Sequence, residues 1–280
     1  MADGAEKSAV LAHDSSRPTL LCAASTILIV LYATLLGGFG LFSPGASTEA
    51  LIAVLAAATV SSIAGFAFSA IGAAMLLPLM QEPVQVVTVL LLSSIAIQSL
   101  SVWALRGSID WLALLPFLAG GIMGLPLGVY LLLHMDAFDY VRLMGVALVV
   151  YGVYMLFRKP LTVRSKPIHD VLVGVAGGVT GGLAAFPGAL VTIWCGMKGW
   201  DKVRQRGLYQ PFILIMQILT LVVIRLVAPG PGIAAAAWTF VPSALLGTCC
   251  GLAIFKRLTD QQFAMAVNLL LIAAGLGLAL

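Results

Sequence analysis

Two glycine pairs carry the clearest chemistry in this sequence. Gly65-Phe-Ala-Phe-Ser-Ala-Ile-Gly72 and Gly181-Gly-Leu-Ala-Ala-Phe-Pro-Gly188 each set two glycines seven apart inside an apolar stretch. If the chain turns there, Gly72 and Gly188 open new helices. A helix N-terminus exposes unpaired N–H groups and carries a partial positive charge. Glycine lets a small oxyanion approach those groups closely. The chemistry is anion binding by the backbone. Gly65, Gly72, Gly181, Gly182, Pro187 and Gly188 would frame the site, Ser69 and Thr180 could add hydroxyl donors, and Phe68 and Phe186 could wall the ligand. The competing reading is close helix packing. It suits Gly120, Gly124 and Gly128, and Gly174, Gly178 and Gly182, which stand four apart.

Gln98 and Gln217 are amides in the middle of apolar stretches. A buried amide needs partners, so each either bonds across helices or meets the ligand. Gln210 with Tyr209, at the start of a helix, could close the inner side of the site, and Trp194 and Phe66 flank the turns. Other chemistries lack their residues. All 11 acidic residues fall in tails, loops or segment ends, which leaves no mid-span carboxylate for a proton relay. There is no P-loop, no Ser/His/Asp or His-Glu-x-x-His arrangement, and no cysteine or histidine cluster for a metal, haem or disulfide framework. The chain reads as no enzyme, with no cofactor and no nucleic-acid partner.

The elements that must position these residues follow from composition. Of 280 residues, 61% are hydrophobic and 9% charged, with a formal net charge of +4. The mean hydropathy is +1.09. A soluble domain is about 25% charged, so this is a polytopic helical membrane protein with the bilayer as its surroundings. A polar tail, 1–19, precedes a first apolar stretch, 20–42, read as a retained helix. Further stretches run over 50–80, 84–105, 111–133, 141–157, 171–197, 208–227, 233–255 and 263–280.

Basic residues gather on the cytoplasmic side of a membrane. If all nine stretches cross, nine Lys/Arg face six. If 50–80 and 171–197 turn at their glycines and leave by the side they entered, the split is 13 against 2, with only Arg142 and Arg225 outside. The expected topology is therefore seven transmembrane helices plus two re-entrant helical hairpins, with the N-terminus in the cytoplasm. Repeat 1 is 50–157, a cytoplasmic linker is 158–170, and repeat 2 is 171–280. Each repeat holds a hairpin and three crossings, so the two are inverted. Gly65 and Gly72 match Gly181 and Gly188, Gln98 matches Gln217, and Gly124, Gly128 and Gly152 match Gly247, Gly251 and Gly275. Inverted repeats with broken helices are a build of secondary transporters. The run Lys198–Arg206 is a topology signal that could also draw anions to the inner mouth.

The stretch Gly174–Gln217, with GGVTGGLAAFPGALVTIWCGMKGWDKVRQR, resembles the second-half signature of the sulfite exporter TauE/SafE family of membrane permeases. The first half agrees through GFAFSAIGAAMLLPLM, the loop Arg106-Gly-Ser-Ile-Asp-Trp111 and GIMGLPLGVYLL. The chain departs from the family's frequent Gly-x-Gly-Gly run, since Ala73 and Ala74 follow Gly72. The resemblance covers roughly 50–280. It implies a carrier of small sulfur-containing anions, such as sulfite or an organosulfonate, in the bacterial inner membrane. The expected mechanism is alternating access, one repeat rocking against the other, with H+ or Na+ as possible coupling ion and the oligomeric state open. The alternatives are an anion channel on the same fold or a carrier of a small organic carboxylate.

Overall fold

A computed structural model describes residues 47–64, 68–80, 82–157, 166–200, 202–228 and 237–255, with Leu269, Ile272, Gly275 and Leu276. The tail 1–19, the stretch 20–42, Gly65 and most of 263–280 lie outside the described residues. Those described are helical, with no strand among them. In chain order, α1 is Thr48–Ala64, α2 Phe68–Met80, α3 Pro83–Leu105, α4 Trp111–His134, α5 Ala137–Phe157, α6 Pro167–Ala184, α7 Gly188–Met197, α8 Lys202–Val227 and α9 Val241–Phe255.

The helix ends carry local signals. Proline opens α3 and α6, where its missing N–H costs nothing. Asp110 caps α4, its Oδ1 accepting from Ala113 N–H at 3.1 Å. Proline at N1 also explains why α6 begins at Pro167, inside the segment expected to be linker. Among the described residues, four helical segments are long and apolar enough to cross a membrane: Pro83–Trp103, Trp111–His134, Ala137–Tyr154 and Val203–Val227. Both glycine-broken stretches are indeed two helices each, α1 then α2 and α6 then α7. At 17, 13, 18 and 10 residues, these four fall short of the ~20 a crossing helix needs.

Two glycine seams hold the bundle together. α4 and α6 run parallel, with backbone on backbone. A methyl group added to Gly120, Gly124 or Gly128 would strike the carbonyl oxygen of Val171, Val175 or Val179, and one on Gly174 or Gly178 would strike that of Phe117 or Gly121. Gly182 continues the row against Leu125 O. The second seam joins α1 to α9, also parallel, where Gly247 and Gly251 press on the carbonyls of Leu55 and Thr59. Without side chains between them, such helices gain dispersion contact along their whole length, the main attraction available in lipid. Between the seams, α3 packs on α8.

Candidate anion site

The second break is tightly built. α6 ends at Ala185, whose φ of 55° is left-handed, and its N–H returns to Gly181 O at 3.0 Å. Phe186 N–H returns to Thr180 O at 3.3 Å. A left-handed residue is the common way to stop a helix, though usually glycine holds it. Pro187 then caps α7, and Gly188 is its first residue. Gly188 thus stands where an opening glycine was expected. Gly72 does not. α2 already starts at Phe68, so Gly72 lies one turn inside it, and a methyl group there would run into Leu90 Cδ2. Gly181 packs beneath Pro187, whose Cβ would be 2.9 Å from an added methyl, and Gly182 belongs to the α4–α6 seam. Each of Gly72, Gly181 and Gly182 has a packing neighbour that an added methyl group would meet.

The two breaks nevertheless converge. A cavity of about 70 Å³ is lined by Ser69 and Ala70 of the first and by Thr180, Ala184 and Phe186 of the second, with Tyr151 of α5 at its wall. Phe186 meets the Tyr151 ring edge-on, centroids 5.6 Å apart. This cavity is mostly apolar, and the Thr180 hydroxyl donates back to Ala176 O at 3.1 Å.

A second cavity, about 100 Å³, has mostly polar residues on its wall. Phe68, Gln98, Gln210 and Arg206 line it, with hydroxyls from Ser61, Ser62, Ser94, Ser101 and Thr248. Most of those hydroxyls are already spent: Ser62 donates to Thr59 O at 2.9 Å and Thr248 to Ala244 O at 2.9 Å. Ser94 differs. Its Oγ accepts from Gln217 Nε2 at 2.8 Å, which leaves its O–H to donate elsewhere. Gln217 Nε2 also reaches Ala185 O at 3.3 Å, so this amide ties the second break on one side to the cavity wall on the other. Its Oε1 is buried without a partner among the described residues.

Of the expected site residues, the polar cavity therefore gathers Phe68 and Gln98, with Gln217 behind Ser94. The apolar cavity gathers Ser69 and Phe186. Gln210 also lines the polar cavity. Sequence reasoning placed Arg206 only within the run that could draw anions to the inner mouth, and it missed Ser94. Spacing could have found them: Arg206 and Gln210 stand one turn apart on α8, and Ser94, Gln98 and Ser101 form one stripe of α3. Also missed was a clasp at the base of the second broken stretch. Asp170 of α6 accepts from Lys198 Nζ and from Trp194 Nε1, both at 2.7 Å. Lys198 Nζ lies 4.7 Å from the Trp200 ring centre and 5.3 Å from that of Phe117.

Gln217→Leu is expected to lower stability by about 1–3 kcal/mol, since Ala185 O loses its donor inside the protein. It should also weaken anion binding, because Ser94 is then free to turn its hydroxyl onto its own helix. Thermal unfolding with and without anion separates the two effects, and an unchanged anion-induced shift would refute the role given to Ser94.

The model of the sulfite exporter TauE/SafE family matches residues 50–278. No curated protein and no solved structure matches the chain.

Proposed function

The chain belongs to the sulfite exporter TauE/SafE family, a family of membrane permeases, and from that premise we propose that it is a secondary transporter of small sulfur-containing anions such as sulfite or an organosulfonate. The observation that carries this is the polar cavity, where amides, a serine hydroxyl and one guanidinium meet beside the first break. Donors without carboxylates suit an anion. The protein acts in the bacterial inner membrane with its N-terminus in the cytoplasm, which is the arrangement the basic residues favour.

The re-entrant reading is supported by the shortness of α1, α2, α6 and α7. The inverted repeat is supported by the two seams. Gly247 and Gly251 meet Leu55 and Thr59 as Gly120 and Gly124 meet Val171 and Val175. That pairing sits one helical turn from the glycine match expected from sequence. In each seam a broken helix of one half lies on a helix of the other half. The bodies that rock in alternating access are then α1 with α2 and α9, and α4 with α6 and α7. This replaces the expectation of one half moving against the other.

Counterflow of labelled sulfite in proteoliposomes tests the carrier: an internal load of unlabelled anion should stimulate uptake, whereas a channel shows no such stimulation. Gln98→Leu, which keeps the shape of this buried side chain but removes its donor, should cut uptake by roughly tenfold or more, the worth of a hydrogen bond to a charged group. Uptake at the parent rate would remove the cavity from the pathway.

A further inference from the structure

We propose that the polar cavity selects anions by charge, taking a monovalent oxyanion and rejecting a divalent one, with Arg206 as the single fixed charge that sets this limit. The inference rests on the anion reading of the site and goes beyond it to valence.

Among the described residues, Arg206 is the one charged residue on the cavity wall. It is exposed as well as lining, which puts it at the mouth. Two neighbouring cations are committed elsewhere. Lys198 is held by Asp170 at 2.7 Å, and Arg204 lies 3.9 Å from Asp110 and over the Trp200 ring. Arg206 itself has no carboxylate partner among the described residues and bonds the Tyr209 hydroxyl. Its charge is thus left for an occupant.

The interior of the cavity offers neutral groups. Gln98 and Gln210 are 4% and 3% exposed, and Gln210 Oε1 has no partner among the described residues. That oxygen only accepts, so it is met by water or by a proton the occupant carries, and it is the amide N–H groups and the Ser94 hydroxyl that can donate to an oxyanion. Size narrows the class. A cavity of about 150 Å³ accepts benzene, so about 100 Å³ suits an ion of roughly four or five heavy atoms. One guanidinium balances one negative charge. A second charge would be drawn out of water with only amides and hydroxyls to meet it, and dipoles recover little of the cost of desolvating an ion.

The test uses two tetrahedral sulfur anions of similar size, methanesulfonate and sulfate, titrated calorimetrically against the purified full-length protein at neutral pH. Methanesulfonate should bind wild type at least about tenfold more tightly than sulfate. Arg206→Gln should weaken methanesulfonate at least about tenfold and erase the difference between the ions, while Arg206→Lys, which keeps the charge but not the fork, retains part of both. Sulfate binding as tightly as methanesulfonate to wild type, a comparison that needs no variant, would overturn the proposal. So would undiminished methanesulfonate binding by Arg206→Gln. In either case the transporter reading stands. If wild type binds neither ion, the anion reading of the cavity falls, and this inference with it.

Discussion

Gly178→Leu is expected to yield no folded protein. Gly178 lies at the centre of the α4–α6 seam, where even a methyl group would strike Gly121 O and come within 2.9 Å of Leu125 N. Those neighbours are backbone and cannot swing aside. Ordinary overpacking costs about 1–3 kcal/mol because side chains and backbone shift to make room. Here the helices must separate, and the dispersion contact of the whole seam goes with them. Gly178→Ala should already lower the thermal midpoint clearly. Gly107→Ala is the control: nothing lies within 4 Å of the added methyl, so the midpoint should hold. Size-exclusion profiles in detergent and thermal unfolding read all three. A monodisperse Gly178→Leu protein with the parent midpoint would mean that the seam does not hold the bundle.

Asp170→Leu is the second large effect. The side chains of Lys198 and Asp170 are 8% and 12% exposed. Removing the carboxylate leaves an ammonium sunk among Phe117 and Trp200 with its counter-charge gone, and Trp194 Nε1 loses its acceptor. Breaking a buried pair from one side costs about 3–5 kcal/mol, whereas replacing both partners by apolar groups is often neutral. Asp170→Leu should therefore be strongly destabilised, and Asp170→Leu with Lys198→Met should recover most of the loss. Equal stability of the single variant and the parent in thermal unfolding would show the clasp to be ornamental.

Much of this architecture was legible in the sequence because apolar length and glycine position are local properties. The broken stretches over 50–80 and 171–197 show as two helices each, and Gly188 opens α7 as its spacing implied. Gly72 failed for a reason the spacing could not reveal. The helix start is fixed at Phe68, and the glycine is needed one turn later, where Leu90 presses on it. Gln217 could be recognised as a buried amide, but not that it would serve Ser94 and Ala185 at once, since those partners come from distant parts of the chain. The run Lys198–Arg206 read as a topology signal and a draw for anions, but composition cannot say which of its cations meets a cavity. Only the turn that brings Gln210 and Arg206 to one wall tells them apart. Asp170 looked like a segment-end acid, and its partner 28 residues on is visible only once α7 returns beside the base of α6.

The crossed seams also set a timetable for assembly. A chain leaves the ribosome from its N-terminus, and domains generally form in that order. α1 finds its seam partner only when α9 has been made, and the glycine face of α4 stays uncovered until α6 follows it. α2 and α7 find neighbours in their own halves, α3 and α8, but the glycine seams of α1 and α6 lie on helices of the other half. The first half therefore enters the bilayer as a set of helices waiting for partners. Truncation before α9 would leave α1 without its seam partner, however complete the first half, so a late-made helix completes the seat of the earliest described one.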